Sequence, residues 1–160
     1  MKILFATGET INIVGDSLKN VNFNKYNFHR VIFENLDISN STFVDSNLRG
    51  SFLHRAILIN CNFCLANLIG ADLRETILVG SYLQGCSAFY CLFEKADMHN
   101  VNMEGANIRE ANFKNTKLHG ANMLCIDIET AKFDGALYDD DTIWPENFIP
   151  EHYGCVKEPL

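Results

Sequence analysis

Two sets of side chains in this 160-residue chain could do chemistry, namely six cysteines and a pair of histidines. Cys61 and Cys64 have the C-x-x-C spacing that occurs in zinc-binding and redox-active sites. His99 and His119 are 20 residues apart with Asp97 nearby, and imidazole is a common metal ligand. Whether either set forms a site depends on the elements that position it.

A register of five residues organises those elements. From Phe23 to Phe133, every fifth residue except Ala88 is Phe, Leu, Ile or Met, with no insertion or deletion. Two places before each of these central residues lies a column of mostly small residues, such as Ala66 and Ala71. The place between the two columns is often Asn or Asp. This register accounts for most of the twelve phenylalanines.

Neither a helix nor a straight strand can keep every fifth residue on one buried face. A helix would spread the central residues around its axis, and a strand would move them to the opposite face at each repeat. The register instead predicts a chain that points inward at two positions and then turns a corner. Asn, Asp and Gly suit such corners because they tolerate the left-handed region and hydrogen-bond in turns. Four corners would close a coil of ~20 residues, and stacked coils would pair at ~4.8 Å.

The repeats resemble the A(D/N)LXX signature of pentapeptide-repeat proteins. The matching segments are Ala66-Asn67-Leu68, Ala71-Asp72-Leu73, Ala106-Asn107-Ile108, Ala111-Asn112-Phe113 and Ala121-Asn122-Met123. The resemblance covers at least residues 21–135 and implies an all-β fold, a right-handed quadrilateral β-helix. It implies no single function, because members range from gyrase-binding proteins to many without a known role. The segment 138–148 is similar to closing segments of cyanobacterial members.

We therefore predict three segments: an N-terminal cap or irregular first coil (1–20), the β-helix (21–135) and a C-terminal capping tail (136–160). Caps are needed because an open end exposes unpaired backbone and apolar side chains. The predicted N-terminal cap residues are Ile3, Leu4, Phe5, Ile11, Ile13 and Val14. Those at the other end are Trp144, Phe148, Ile149 and Tyr153, with a short helix beginning near Pro145. The alternative for this tail is a dimerisation surface.

The register places the cysteines on different sides of the chain. Cys61 falls in the inward column and Cys64 points outward, so their side chains should diverge. Cys86 and Cys91 also point inward, where a small hydrophobic residue is sufficient, and Cys125 points outward. No two cysteines are 20 apart, so we expect free thiols and a cytoplasmic location.

The histidines fall on one outward column. Since structural zinc requires four ligands, we interpret His99 and His119 as a polar ladder. A filled rod also lacks the concavity that catalysis needs. We therefore expect no enzymatic activity, no cofactor and no metal. Ala88, which interrupts the central column, predicts either a small void or a bulge that moves Phe89 inward.

The charge of −7 is distributed unevenly. Residues 23–133 contain eleven acids and ten bases, so most of the negative charge lies after residue 133. Direct nucleic-acid binding would need a basic stripe, and no apolar run reaches the ~18 residues of a membrane span. The alternative function is an acidic DNA mimic that binds gyrase or topoisomerase. That role needs charge along the whole rod, which this chain lacks.

Outward positions should be polar, but the middle coils depart from this rule. The outward apolar residues are Ile57, Ile59, Ile77 and Val79 on one side, Ile69 and Phe89 on another, and Tyr82. Tyr90, Leu92 and Phe52 add further outward apolar area. A contiguous apolar patch often marks an interface. The other interpretation is that a loop covers it, or that β-branched residues only favour extended backbone. We predict a non-catalytic scaffold, monomeric or homodimeric, that binds an unidentified protein partner.

Overall fold

The computed structural model describes residues 2–13 and 15–158, and most of this chain winds into a β-helix. Residues 20 apart form parallel β-bridges, so that each turn of the coil pairs with the next. The bridges form four ladders, one on each face of the coil. The first to fourth faces begin with the bridges Asn22↔Thr42, Asn27↔Asn47, Ile32↔Phe52 and Asp37↔Ile57. The predicted β-helix is confirmed.

Each corner of the coil is a tight turn. In the turn after Phe63, the Ala66 N–H donates to the Phe63 carbonyl at 3.0 Å. Its third residue, Leu65, has φ 60°, and every fifth residue from Asn20 to Gly120 likewise has φ between 53° and 69°. The Asn before the centre has a different role, because Asn62 Oδ1 accepts from the Cys64 N–H at 3.0 Å. These asparagines therefore support the turns without adopting the left-handed conformation themselves.

The central residues fill the axis of the coil. Phe23, Phe43 and Phe63 are buried and stack with ring centroids 5.1 and 4.9 Å apart. Phe93 and Phe113 form a similar stack at 4.8 Å. The predicted packed core is confirmed, and it places the residues on either side of each centre on the outer surface.

The coil remains regular at Ala88. The Ala88 N–H donates to the backbone carbonyl of Asn107 at 2.8 Å, and the Gly70 N–H donates to the backbone carbonyl of Phe89 at 2.8 Å. Ala88 is buried, whereas Phe89 is partly exposed on the outside. The bulge interpretation is therefore wrong, because the ladder hydrogen bonds continue without interruption on both sides of this residue.

The last full turn departs from the register. Asn107 bridges Ile126, which is 19 residues later, and a 3-10 helix at Ile128–Thr130 then restores the spacing. Ile126, which the register places inward, is 51% exposed. Cys125, which the register places outward, instead packs against the core. Both expectations are wrong because the corner before Ile126 is one residue shorter than the others.

The N-terminal residues form a hairpin over the first coil. Strands β1 (Lys2–Phe5) and β2 (Thr10–Asn12) pair antiparallel, and β1 also pairs with β3 (Val31–Ile32). Of the predicted cap residues, Ile3, Phe5, Ile11 and Ile13 contact the core. Leu4 is exposed instead, because alternate residues of a strand face opposite ways. Val14 lies outside the described residues.

The C-terminal segment crosses the other end of the coil. Strand β4 (Leu137–Tyr138) pairs in parallel with β5 (Val156–Lys157). Trp144 and Phe148 contact Phe133 edge-on at 5.8 and 5.7 Å, and Tyr153 stacks on Phe148. Ile149, also predicted to lie over the coil, is exposed. Within the described part of the chain, no helix is long and apolar enough to cross a membrane.

The predicted helix at Pro145 is absent from this segment. Pro145 begins a turn that the Phe148 N–H closes at 3.0 Å. A short 3-10 helix begins five residues later, at Pro150–Tyr153. Proline suits the first position of a helix in either place, so the sequence signal was right about the residue type and wrong about its position.

The inward column also holds one unsatisfied hydroxyl, from which a stability prediction follows. The buried Ser51 Oγ has no hydrogen-bond partner, whereas Ser81 Oγ donates to the Leu58 carbonyl at 2.6 Å. An unsatisfied buried polar group destabilises a fold by about 1–3 kcal/mol. We expect Ser51→Ala to raise the free energy of unfolding by about 1 kcal/mol and the matched Ser81→Ala to lower it. Urea denaturation measures both, and a loss in Ser51→Ala would contradict the prediction.

Candidate protein-binding surface

Ile57, Ile59, Ile77 and Val79 lie together on the fourth face and are named here the Ile57 patch. Ile57 bridges Ile77 directly, and each isoleucine is followed two residues later by another outward aliphatic side chain. Ile77 is 37% exposed, and the other three are partly exposed. The β-helix brings the four together because residues 20 apart occupy the same place on adjacent coils.

Polar residues border the Ile57 patch at both ends. On the N-terminal side, Asp37 pairs with Lys19 at 2.6 Å and accepts a hydrogen bond from Ser39. The hydrogen bond from Lys19 lowers the pKa of Asp37 to about 2, so this carboxylate stays charged at neutral pH. An apolar centre with a polar rim is the usual anatomy of a protein interface.

The histidine ladder forms the other border. The rings of His99 and His119 stack with centroids 4.7 Å apart and an angle of 10°. His99 Nδ1 contacts the Asp97 carboxylate, and His119 Nε2 lies 3.0 Å from Glu158 Oε2. The predicted polar ladder is confirmed. Among the described residues, no three His, Cys, Asp or Glu side chains are grouped to hold a metal ion.

The other predicted interface residues lie elsewhere on the coil. Ile69 and Phe89 occupy the second face, opposite the Ile57 patch, and both are partly exposed. Tyr82 lies on the first face, where it bridges Asn62 and Asn102 and is 49% exposed. The seven residues therefore form no single surface. Sequence reasoning located the outward apolar positions but did not combine them into one site.

Leu65 was missed because the register assigns it to a corner, whereas Tyr90, at another corner, was among the predicted outward apolar residues. Leu65 is 63% exposed and Tyr90 is 57% exposed, and both have a left-handed backbone. They flank Ile69 and Phe89 on the second face. The available signal was the corner position itself, where a large apolar side chain cannot point inward.

The cysteines diverge as the register predicts. Cys61 is buried with its Sγ 3.2 Å from the Ile38 carbonyl, and Cys64 is partly exposed beside Gln84. Burial raises the pKa of Cys61 to about 12, so its thiol stays protonated at neutral pH. All six cysteines are free. A thiol that is both buried and protonated is a poor nucleophile and a poor metal ligand.

A small open cavity of about 260 Å³ lies at the C-terminal end. Its lining includes the rings of Phe148 and Tyr153 and the carboxylates of Glu129 and Glu146. No cysteine, histidine or serine lines it. This cavity is remote in sequence from the apolar residues of the middle coils.

Comparison with known proteins identifies the repeats. A family model described as "Pentapeptide repeats" matches in eight copies, over residues 17–50, 46–85 and 89–124. No curated protein matches the chain. Solved structures with a similar fold include HetL from Nostoc sp. strain PCC 7120 (17% identity, 89% of this chain and 84% of that chain, TM-score 0.39). A second is Rfr23 from Cyanothece 51142, with 23% identity over 81% of this chain and 88% of that chain and a TM-score of 0.40. A third is a trypsin-treated variant of QnrB1, a plasmid-mediated fluoroquinolone resistance protein, with 17% identity over 89% of this chain and 83% of that chain and a TM-score of 0.40.

Proposed function

Since this chain belongs to the pentapeptide repeat family, we propose that it is a non-catalytic scaffold that binds another protein through its middle coils. The observation that carries this proposal is the Ile57 patch. Four branched aliphatic side chains face outward on adjacent coils, at positions where a solvated surface would be polar. The filled axis and the buried thiols support a non-catalytic role.

The rim of the Ile57 patch supports an interface more than a merely extended backbone. Isolated outward aliphatic residues are common on any protein and need no explanation. Here they adjoin one another, with the Lys19–Asp37 pair at one end and His99 at the other. A partner could exclude water from the centre while the ionic groups at both ends remain solvated.

An acidic DNA mimic is a weaker candidate for this chain. A mimic of the duplex needs negative charge along its length. The acids and bases of residues 23–133 nearly cancel, at eleven and ten, and residues 134–160 carry seven acids and one base. The negative charge is therefore concentrated at one end, which is not the distribution that a duplex mimic requires.

We also infer that the coil is right-handed, the sense that parallel crossover connections almost always take. Residues 136–160 are assigned the role of a cap, because Trp144 and Phe148 pack on Phe133. The cytoplasm is proposed as the location because all six thiols are free. The scaffold itself would be a monomer or a homodimer.

Charge placed on the Ile57 patch should abolish partner capture. We expect Ile57→Glu/Ile77→Glu/Val79→Glu to lose the protein that the wild type captures from native lysate. Truncating a central hot-spot residue of an interface typically costs about 2 kcal/mol or more, or ~30-fold in affinity. Quantitative mass spectrometry of the captured proteins measures the loss.

The control for this experiment is Leu92→Glu, which places charge at an outward apolar position on the third face. Both variants should keep the circular dichroism of the wild type, because all the altered side chains lie outside the core. Unchanged capture by the triple variant would contradict the proposed interface. Equal loss in Leu92→Glu would show that the effect is not specific to the patch.

A further inference from the structure

Two corners of the coil carry large apolar side chains in an unfavourable backbone conformation. Leu65 has φ 60° and Tyr90 has φ 57°, in the region that bulky L-residues normally avoid. At the other corners from Asn20 to Gly120 the residue is Gly, Asn, Asp, Glu, Lys or Arg. No core contact offsets the cost, since both side chains are more than half exposed. Strain of this kind at exposed positions is often associated with function.

Both strained corners border the same face of the β-helix. Leu65 precedes Ile69 on one coil, and Phe89 precedes Tyr90 on the next, with the bridge Asn67↔Ser87 holding the two coils together. We name these four apolar residues the Leu65 face: Leu65, Ile69, Phe89 and Tyr90. Leu65 extends over Gly85, with its Cδ2 3.0 Å from where a Cβ on that glycine would lie. The glycine therefore leaves space for the leucine along this edge.

Arginines border the Leu65 face on the coils to either side. Arg49 and Arg109 are exposed at the positions equivalent to Ile69 and Phe89, and Arg30 lies one coil further out. None of the three belongs to an ion pair with any other described residue. The second face and its corners between residues 25 and 110 carry four bases and three acids: Lys25, Arg30, Arg49 and Arg109, with Asp45, Glu104 and Glu110. This face is thus positive on a chain whose net charge is −7.

We propose that the Leu65 face binds an acidic segment of a partner protein that carries large apolar side chains. The apolar residues of this segment would cover Ile69, Phe89 and the two exposed corner residues, Leu65 and Tyr90. Its carboxylates would pair with Arg49 and Arg109, since the guanidinium group matches carboxylate geometry. These arginines are three coils apart, which is ~14 Å at the usual strand spacing. An extended segment would therefore place two acidic residues about four positions apart, with apolar residues between them.

A random twelve-residue peptide library displayed on phage and selected on the full chain tests this proposal. We expect the selected peptides to combine Asp or Glu with Leu, Phe, Tyr or Trp. Binding of labelled synthetic copies, measured by fluorescence anisotropy, should weaken at least 10-fold in Arg49→Glu and in Arg109→Glu. Lys117→Glu, an equal charge reversal on the opposite face, should leave binding unchanged.

The corner residues provide a readout that a merely structural role would not produce. Leu65→Asn and Tyr90→Asn should weaken peptide binding at least 10-fold because they remove exposed apolar area. The same variants should raise the thermal midpoint by about 2–4 °C, because Asn adopts the left-handed region more readily. Loss of stability in both variants would assign the two side chains to the fold and overturn the proposal.

Four other outcomes would also overturn it. They are selection of neutral or basic peptides, no selection at all, binding that depends on Ile77 but not on Arg49, and preferential binding of a single-stranded oligonucleotide. Self-association of the chain that Arg49→Glu abolishes would instead assign the face to a second copy, and so would contradict a partner protein. Each result is independent of the Ile57 patch, because Ile57→Glu/Ile77→Glu/Val79→Glu leaves the Leu65 face intact.

Discussion

The Phe43→Ala variant is expected to lose about 3–5 kcal/mol of its free energy of unfolding. Phe43 is fully buried and lies between Phe23 and Phe63 in the aromatic stack, with Phe28 and Phe33 also in ring contact. Truncation removes this burial and leaves a cavity within a single coil. The two flanking coils are held at the strand spacing by their own hydrogen bonds, so the structure cannot close the gap.

The control for this substitution is Phe89→Ala, which removes a side chain of the same type from the outer surface of the coil. We expect its loss to be about 1 kcal/mol or less, because Phe89 is partly exposed in the folded protein. Urea denaturation monitored by circular dichroism compares both variants with the wild type. Similar losses in the two would contradict the assignment of Phe43 to the core and of Phe89 to the surface.

Alkaline pH is expected to unfold the protein because its four buried thiols, Cys61, Cys86, Cys91 and Cys155, resist ionisation in the folded state. Burial raises the pKa of Cys61 and Cys86 to about 12 and that of Cys91 well above its ordinary value of 9.0. The unfolded chain releases these protons first, so stability is fully present below pH 9 and is lost as pH rises toward 12. In this window, each thiol should lower the free energy of unfolding by about 1.4 kcal/mol per pH unit.

Cys86→Ala isolates this effect from the ionisation of lysine and tyrosine. Between pH 8 and pH 11 the variant should lose about 3 kcal/mol less than the wild type, because one thiol no longer contributes. The measurement is the free energy of urea unfolding at several pH values, with recovery at pH 8 as the check for reversibility. The same pH dependence in both proteins would contradict the burial of Cys86.

The central residues of the coil were predictable from sequence, and the left-handed corners were only partly so. Phe43 and Ala66 point inward because every repeat places them at the same step of the same turn. The sequence suggested Asn, Asp and Gly for the left-handed corners, and Asn60 and Gly70 confirm this. Asn62, by contrast, supports a turn in which Leu65 has the positive φ. Composition did not reveal this, since a left-handed corner in a β-helix also accepts Leu, Tyr, Lys and Arg.

The candidate surface shows a similar division. The outward positions of Ile57 and Ile77 follow from the register, and their bridge follows from a coil of 20 residues. The corner positions of Leu65 and Tyr90 also follow from the register, but the absence of any core contact that offsets their left-handed backbone is seen only in the folded coil. That Arg49 forms no ion pair with any other described residue was also not predictable from the sequence, since an ion pair depends on the side chains of neighbouring coils.

By itself, the sequence determined the repeat length, the inward residues and the concentration of acidic charge after residue 133. These properties are local, because each five-residue unit makes the same turn with the same side chains. Only the tertiary structure decided where the register slips near Ile126 and that Ala88 causes no bulge. These features depend on hydrogen bonds between coils, where each residue pairs with another about 20 positions away. The repeat pattern therefore shows which residues form each turn, but it does not show how one coil packs and hydrogen-bonds on the next.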